Sequence, residues 1–178
     1  RRQRQMCIRD SVGTLGILAL ESSHDMGKRV NDYIVDWRKD RAAQNATAST
    51  FAGYNRDSFL IDSACPRFGS GEAKGIINES VRGDDLYLLV DVCNYSLTYT
   101  VCGHTNHMSP DDHYQDLKRI IAAVGGKARR ITVIMPFLYE SRQHRRSARE
   151  SLDCAMALHE LTPVSYTHLR AHETCADL

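Results

Sequence analysis

SPDDHYQDLKRIIAAVGGKARRITVIMPF, Ser109 to Phe137, holds the decisive pattern of this chain, a capped helix followed by a buried strand. Ser109 suits a helix N-cap, Pro110 the first helical position, and Asp111 and Asp112 a first turn where the helix dipole favours acids. Tyr114, Leu117, Ile121 and Val124 recur on one face, and Gly125-Gly126 ends the run. Ile131 to Met135 then reads as a buried strand, nearly continuously apolar as strands covered on both faces are. Working outward, Leu86 to Val92 has the same character, and Leu15 to Leu20 is a third run of strand length. After Leu20, Ser22 or Ser23 is placed to cap a helix whose buried stripe is expected to be Met26, Val30, Tyr33, Ile34 and Trp37. Strands alternating with helices of this size predict an α/β fold, a parallel sheet flanked by helices on both faces.

The connections carry weaker signals. Lys39 to Thr50 is polar and reads as a helix end and surface connection, and Ser58 to Asp62 as a short strand. Arg67 to Ser80 has glycines at 69, 71 and 75 and fits a hairpin. Cys93 to Met108 is expected to be a long polar loop in which Tyr95 and Tyr99 pack against the sheet. The pattern of Ser147-Ala-Arg-Glu150 predicts a capping box opening a last helix that carries Leu152, Ala155, Met156 and Leu158.

With 178 residues, 42% hydrophobic and 25% charged, the chain has ordinary one-domain composition. Its net charge of +1 gives no electrostatic reason to expect nucleic acid, and no apolar run approaches membrane-spanning length. A cytoplasmic location and free thiols among the six cysteines are the expectation. Residues 1–11, RRQRQMCIRDS, and the segment from Pro163, PVSYTHLRAHET, resemble one sequencing adapter translated in its two senses. Residues 1–11 and 163–178 are therefore expected to be adapter-derived and to contribute nothing to the fold, which leaves 12–162 as the domain.

Two stretches carry candidate chemistry. Pro136 to Arg146, PFLYESRQHRR, follows a buried strand, and ligands of open parallel sheets bind beyond the carboxyl ends of strands. Arg142, Arg145 and Arg146 could each grip phosphate oxygens in a bidentate fork, and Gln143 a base or a sugar hydroxyl. The plainer alternative is a solvated basic loop. Between Cys93 and His113, the residues Cys93, Cys102, His104, His107, Asp111, Asp112 and His113 are of zinc-binding types. Their spacing matches no common zinc module, so Cys93, Cys102, His104 and His107 stand as candidates beside a purely hydrogen-bonded loop.

The runs RFGSGEAKGIINESVRGDDLYLLVDV (Arg67 to Val92) and DLKRIIAAVGGKARRITVIMPFLYESRQHRR (Asp116 to Arg146) resemble the N-terminal half of ribose-phosphate diphosphokinases, in a divergent bacterial branch. The family's usual motifs, R-F-S-D-G-E, E-S-V-R-G, A-R-R-I-T and P-Y-x-x-Y-x-R-Q-D-R-K, occur here in order, with one expanded loop. The resemblance implies a phosphoribosyltransferase-like N-terminal domain with a protruding hairpin. It implies an enzyme that moves diphosphate from ATP to ribose 5-phosphate with Mg2+, giving phosphoribosyl pyrophosphate and AMP. It also implies a homo-oligomer whose ATP site is shared between subunits, with Phe68, Ser70, Gly71 and Glu72 enclosing adenine from a neighbour and Arg142 and Gln143 holding ATP. Ser70 and His144 replace the family's usual aspartates. The family's catalytic groups are expected beyond Thr162, so this chain alone is expected to be inactive. Two alternatives remain: a non-catalytic regulatory subunit of the same family, and a small metal-binding interaction module built on the expanded loop.

Overall fold

The computed structural model describes residues 13–44, 53–143, 145, 148–164 and 169–172. Its centre is a parallel sheet of β1 (Leu15–Ala19), β4 (Asp85–Leu89), β7 (Arg130–Ile134) and β8 (Leu169–His172), in the order β1-β4-β7-β8. The register pairs Leu18 with Leu88 and Leu88 with Val133, so alternate apolar residues line up across the sheet. Two hairpins stand off it: β2 (Ser63–Ala64) with β3 (Ile76–Ile77), and β5 (Thr98–Val101) with β6 (His104–His107). The helices are α1 (His24–Gln44), α2 (Pro110–Val124) and α3 (Asp153–Val164).

The pleat sends side chains alternately to two cores. Leu18, Leu86, Leu88, Ile131 and Val133 meet Leu117, Ile121 and Val124 of α2 and Ala157 and Leu161 of α3. Ile17, Leu89 and Phe59 meet Val35 of α1 on the opposite face. The α/β class with a parallel sheet and helices on both faces is therefore observed. Ser58 to Asp62 runs beside β1, Ile17 donating to the Phe59 carbonyl and Ile61 to the Ile17 carbonyl at 2.8 Å each, and is held by a single parallel bridge.

α2 is the element most fully dictated by its own sequence. The Ser109 hydroxyl accepts from the Asp112 amide at 3.2 Å, the Asp112 carboxylate accepts from the Ser109 amide at 2.9 Å, and Gly125 closes the helix in the left-handed region.

Three expectations are corrected. In α1 the buried residues are Gly27, Asn31 and Val35; of the expected stripe, Met26 and Ile34 pack partly buried against this core, while Val30, Tyr33 and Trp37 are exposed. Gly27 lets the helix close onto Ala19, where any Cβ would collide, and Asn31 Oδ1 accepts from the Phe59 amide at 2.7 Å. A close backbone approach and one specific buried hydrogen bond outweigh the apolar stripe. Next, α3 begins at Asp153, and Ala148 and Arg149 form bends before it; Ser147 lies outside the described residues. Its buried face is Cys154, Ala157 and Leu161, with Met156 exposed. Third, the expected loop after Cys93 contains the hairpin β5–β6, which turns at Cys102 (φ 50°) and Gly103 (φ 81°). Two successive positive-φ residues make the tight turn that matches strand twist, with cysteine where asparagine or aspartate is the usual signal.

In the C-terminal segment, Leu169–His172 pairs with β7, Ile131 facing Leu169 and Ile134 facing His172. Backbone pairing is indifferent to side-chain identity, and β7 otherwise presents an open edge to a chain returning after α3. Removing residues 165–178 is thus expected to cost under about 2 kcal/mol, since edge hydrogen bonds exchange for water. Thermal unfolding of the shortened chain checks this; a larger loss would mean that the segment packs through its side chains.

Candidate functional site

The carboxyl ends of β1, β4 and β7 deliver three connections to one edge of the sheet. Ser22, after β1, accepts on its hydroxyl from the Asp91 amide at 3.1 Å, and its carbonyl accepts from Asn94 Nδ2 at 2.9 Å. Asn94 in turn accepts on its carbonyl from His113 Nε2 at 2.7 Å, which ties both connections to α2. His113 is 2% exposed, a satisfied core histidine. A cavity of about 380 Å³ opens beside this network, lined by Leu20, Ser22, Cys65, Met108, His113 and Asp116 among others. Burial pushes the Cys65 thiol up to about 12, so it stays protonated and inert.

After β7, the chain folds over the edge through aromatic contacts. Tyr139 stacks on Tyr114 with ring centroids 4.2 Å apart, and its hydroxyl donates to Asp111 at 2.7 Å. Arg142 and Gln143 follow in a turn of 3-10 helix, Ser141–Gln143, set up by Glu140 in the left-handed region. Arg142 is exposed and Gln143 half-buried. The Cys93 thiol, at the end of the β4 connection, is raised by burial and by Asp91, and the Arg142 guanidinium works against that rise. An exposed guanidinium thus stands at the carboxyl edge, where an anionic ligand would meet it. Arg145 is also exposed; His144 and Arg146 lie outside the described residues.

Phe68, Ser70, Gly71 and Glu72 form the tip of the first hairpin. Phe68 is 51% exposed, and Ser70 and Glu72 are exposed too. The Phe68 amide donates to the Glu72 carbonyl at 2.7 Å, and the Ser70 hydroxyl donates to the Glu72 carboxylate at 3.1 Å. An aromatic ring and a carboxylate, both presented to solvent from a fixed turn, can receive a flat, amine-bearing ring from outside.

Arg67, at the root of this tip, had no role in the sequence analysis. Its side chain is 10% exposed and donates to Asp116 Oδ2 at 3.0 Å and to the Gly71 carbonyl at 3.1 Å. It lies 3.6 Å from Asp112 and over the Tyr99 ring, 4.5 Å from its centroid. Burial works against the Asp112 carboxylate, but the Ser109 hydrogen bonds and Arg67 hold its pKa below the usual value. Asp116 is raised by burial despite Arg119 and Arg67. The acids of α2 spaced four apart were a signal for such a cation, since i and i+4 share a helix face.

The zinc candidates are not brought together. His104 and His107 are three apart in β6 and so point to opposite faces, Cys102 occupies the hairpin turn, and Cys93 sits in a turn against Asp91. His107 Nδ1 donates to the Tyr95 carbonyl at 2.8 Å, and its ring stacks on Tyr95 at 4.4 Å. Among the described residues no three His, Cys, Asp or Glu side chains are placed to hold a metal ion. Tyr95 is 67% exposed and Tyr99 serves Arg67, so neither packs on the sheet as expected.

A family model of the N-terminal domain of ribose phosphate pyrophosphokinase matches residues 15–164. Ribose-phosphate pyrophosphokinase 1 of Schizosaccharomyces pombe is 30% identical over 110 residues, which are 61% of this chain and 24% of that protein. The crystal structure of phosphoribosylpyrophosphate synthetase from Mycobacterium smegmatis is similar with a TM-score of 0.61 at 17% identity, over 90% of this chain and 48% of that one. This last likeness is one of fold. The chain spans a quarter to a half of the length of these relatives.

Proposed function

We propose, from the premise that this chain belongs to the ribose phosphate pyrophosphokinase family through its N-terminal domain, that it is the ATP-side half of a ribose-phosphate diphosphokinase. The whole enzyme would transfer the β,γ-diphosphoryl group of ATP to the 1-hydroxyl of ribose 5-phosphate and release AMP. The observation that carries this is the exposed Arg142, held at the carboxyl edge of the parallel sheet beside Gln143. There its fork would grip the polyphosphate, with Gln143 hydrogen-bonding the nucleotide. Phe68 and Glu72 would cover the adenine of a neighbouring subunit, which makes a homo-oligomer a condition of activity. Ser70 keeps a hydroxyl at the tip but is engaged with Glu72.

Among the described residues no three ligating side chains converge, so magnesium would reach this half chiefly with the nucleotide, held by phosphates, water and at most one or two carboxylates. A cytoplasmic location belongs to the same proposal; among the described residues no helix is long and apolar enough to cross a membrane.

In the full-length protein Arg142→Ala is expected to weaken ATP about 10- to 100-fold, the worth of a charge-assisted bidentate contact of roughly 1.5–3 kcal/mol. Arg145→Ala should cost under about 1 kcal/mol, as a solvated charge. Arg142→Lys should recover only part of the loss, since the charge remains but the fork does not. Equilibrium titration with ATP at fixed magnesium and salt tests all three. Equal losses at 142 and 145 would reduce the cluster to a diffuse field and remove Arg142 from the site.

A further inference from the structure

We propose that the β5–β6 hairpin is a brace for the tip of the first hairpin, and that Tyr99 and Arg67 are positioning residues for the nucleotide contacts of that tip. This rests on the reading of Phe68 and Glu72 as nucleotide contacts given above. The first hairpin has little of its own to hold its tip still. Its regular pairing is confined to Ser63–Ala64 with Ile76–Ile77, extended by one bridge between Arg67 and Ala73. Two-stranded hairpins of this size are marginal in water, and the tip residues 68, 70 and 72 are exposed.

The ties come from elsewhere in the chain. The Cys102 amide donates to the Gly69 carbonyl at 3.4 Å. Gly71 has φ 90°, and a Cβ there would stand 3.1 Å from Val101 Cγ2 and 3.7 Å from the Tyr99 ring, so the two hairpins meet at van der Waals distance. Arg67 joins them: it donates to the Gly71 carbonyl from above the Tyr99 ring. Tyr99 is itself anchored, its hydroxyl donating to Asp112 at 3.4 Å. Tip, brace and the start of α2 thus form one cluster of an aromatic ring, a guanidinium and two carboxylates. Without the brace, the tip retains its sequence but samples more positions, and a nucleotide must order it on binding, which lowers affinity.

The test uses the full-length protein and four variants. Tyr99→Leu, which removes the ring and the hydroxyl, is expected to raise the KM for ATP about tenfold and to leave the KM for ribose 5-phosphate in place. Tyr99→Phe keeps the ring under Arg67 and should stay within about threefold of the parent. Hydrogen exchange at the Phe68 and Gly71 amides should speed up in Tyr99→Leu, while the amides of β4 and β7 keep their protection. Should Tyr99→Leu unfold, Val101→Ser loosens the same contact from the surface, with the same expected split between the two KM values. Glu72→Ala separates the two claims. If it leaves ATP binding unchanged, the tip is no nucleotide site; if it weakens ATP while Tyr99→Leu and Val101→Ser do not, the tip stands and the brace is refuted. Equal effects of Tyr99→Leu and Tyr99→Phe would also overturn the role given to the ring.

Discussion

The 178-residue chain, supplied with ATP, magnesium and ribose 5-phosphate, is expected to release no AMP, whereas turnover is expected of the full-length protein if the proposed function holds. Diphosphoryl transfer leaves little covalent chemistry to the protein and depends on metal, cationic groups and positioning. Within the described residues, Arg142 and the hairpin tip are the proposed binding groups, and no three His, Cys, Asp or Glu side chains are placed to hold a metal ion. The matched stretches cover only 24% and 48% of the relatives' own lengths, and by family resemblance the remaining catalytic groups are expected past Thr162. Removing one preorganised electrostatic contact costs roughly 10²–10³ in rate, so the loss of several together should put turnover below detection. The measurement is AMP formation with and without ribose 5-phosphate. A sugar-phosphate-dependent signal from this chain alone would show that the transfer chemistry is already within it.

Arg67→Ala is expected to destabilise the folded domain by about 2–4 kcal/mol. Removing one member of a buried ion pair costs roughly 3–5 kcal/mol because its partner is left charged and dry. Here Asp116 keeps Arg119 at 2.6 Å, which moderates the loss, while the contact with the Tyr99 face disappears as well. For a domain of this size the change is a fall of roughly 5–15 °C in Tm. The pH dependence has a definite sign. Burial already raises Asp116 above the ordinary carboxyl range, whereas Asp112 is held below it with help from Arg67; without Arg67 both rise. The folded variant therefore takes up protons at a higher pH than the folded parent does, and the deficit shrinks as pH falls into the carboxyl range. Urea unfolding of both proteins from neutral to acidic pH measures this. A gap that stays constant or widens on acidification would mean that packing, not the carboxylates, sets the cost.

The sequence by itself determined the elements whose signals are local. α2 is set by Ser109, Asp112 and Gly125, each acting on backbone groups within one turn, and it formed where those residues place it. β1, β4 and β7 are rich in apolar side chains, so all three were legible, β1 and β7 to within one residue and β4 with its end at Leu89 rather than Val92. The first hairpin was legible from its glycines, and the family from motifs that span both hairpin and loop.

What only the tertiary structure decided is how these elements meet. The α1 stripe of Val30, Tyr33 and Trp37 is a valid helical period, yet Gly27 and Asn31 face the sheet. Helix rotation is chosen by how closely two backbones can approach and which buried hydrogen bonds close, and neither quantity is carried by hydrophobic spacing. His104 and His107 looked like ligands in a loop because the β5–β6 turn hides behind Cys102-Gly103; once they lie in a strand, the pleat parts them. Arg67 was one basic residue among many until the fold set Tyr99, Asp112 and Asp116 around it from more than thirty residues away along the chain. A long-range cluster of this kind has no periodic trace in sequence, because each member obeys only the local rules of its own strand, turn or helix.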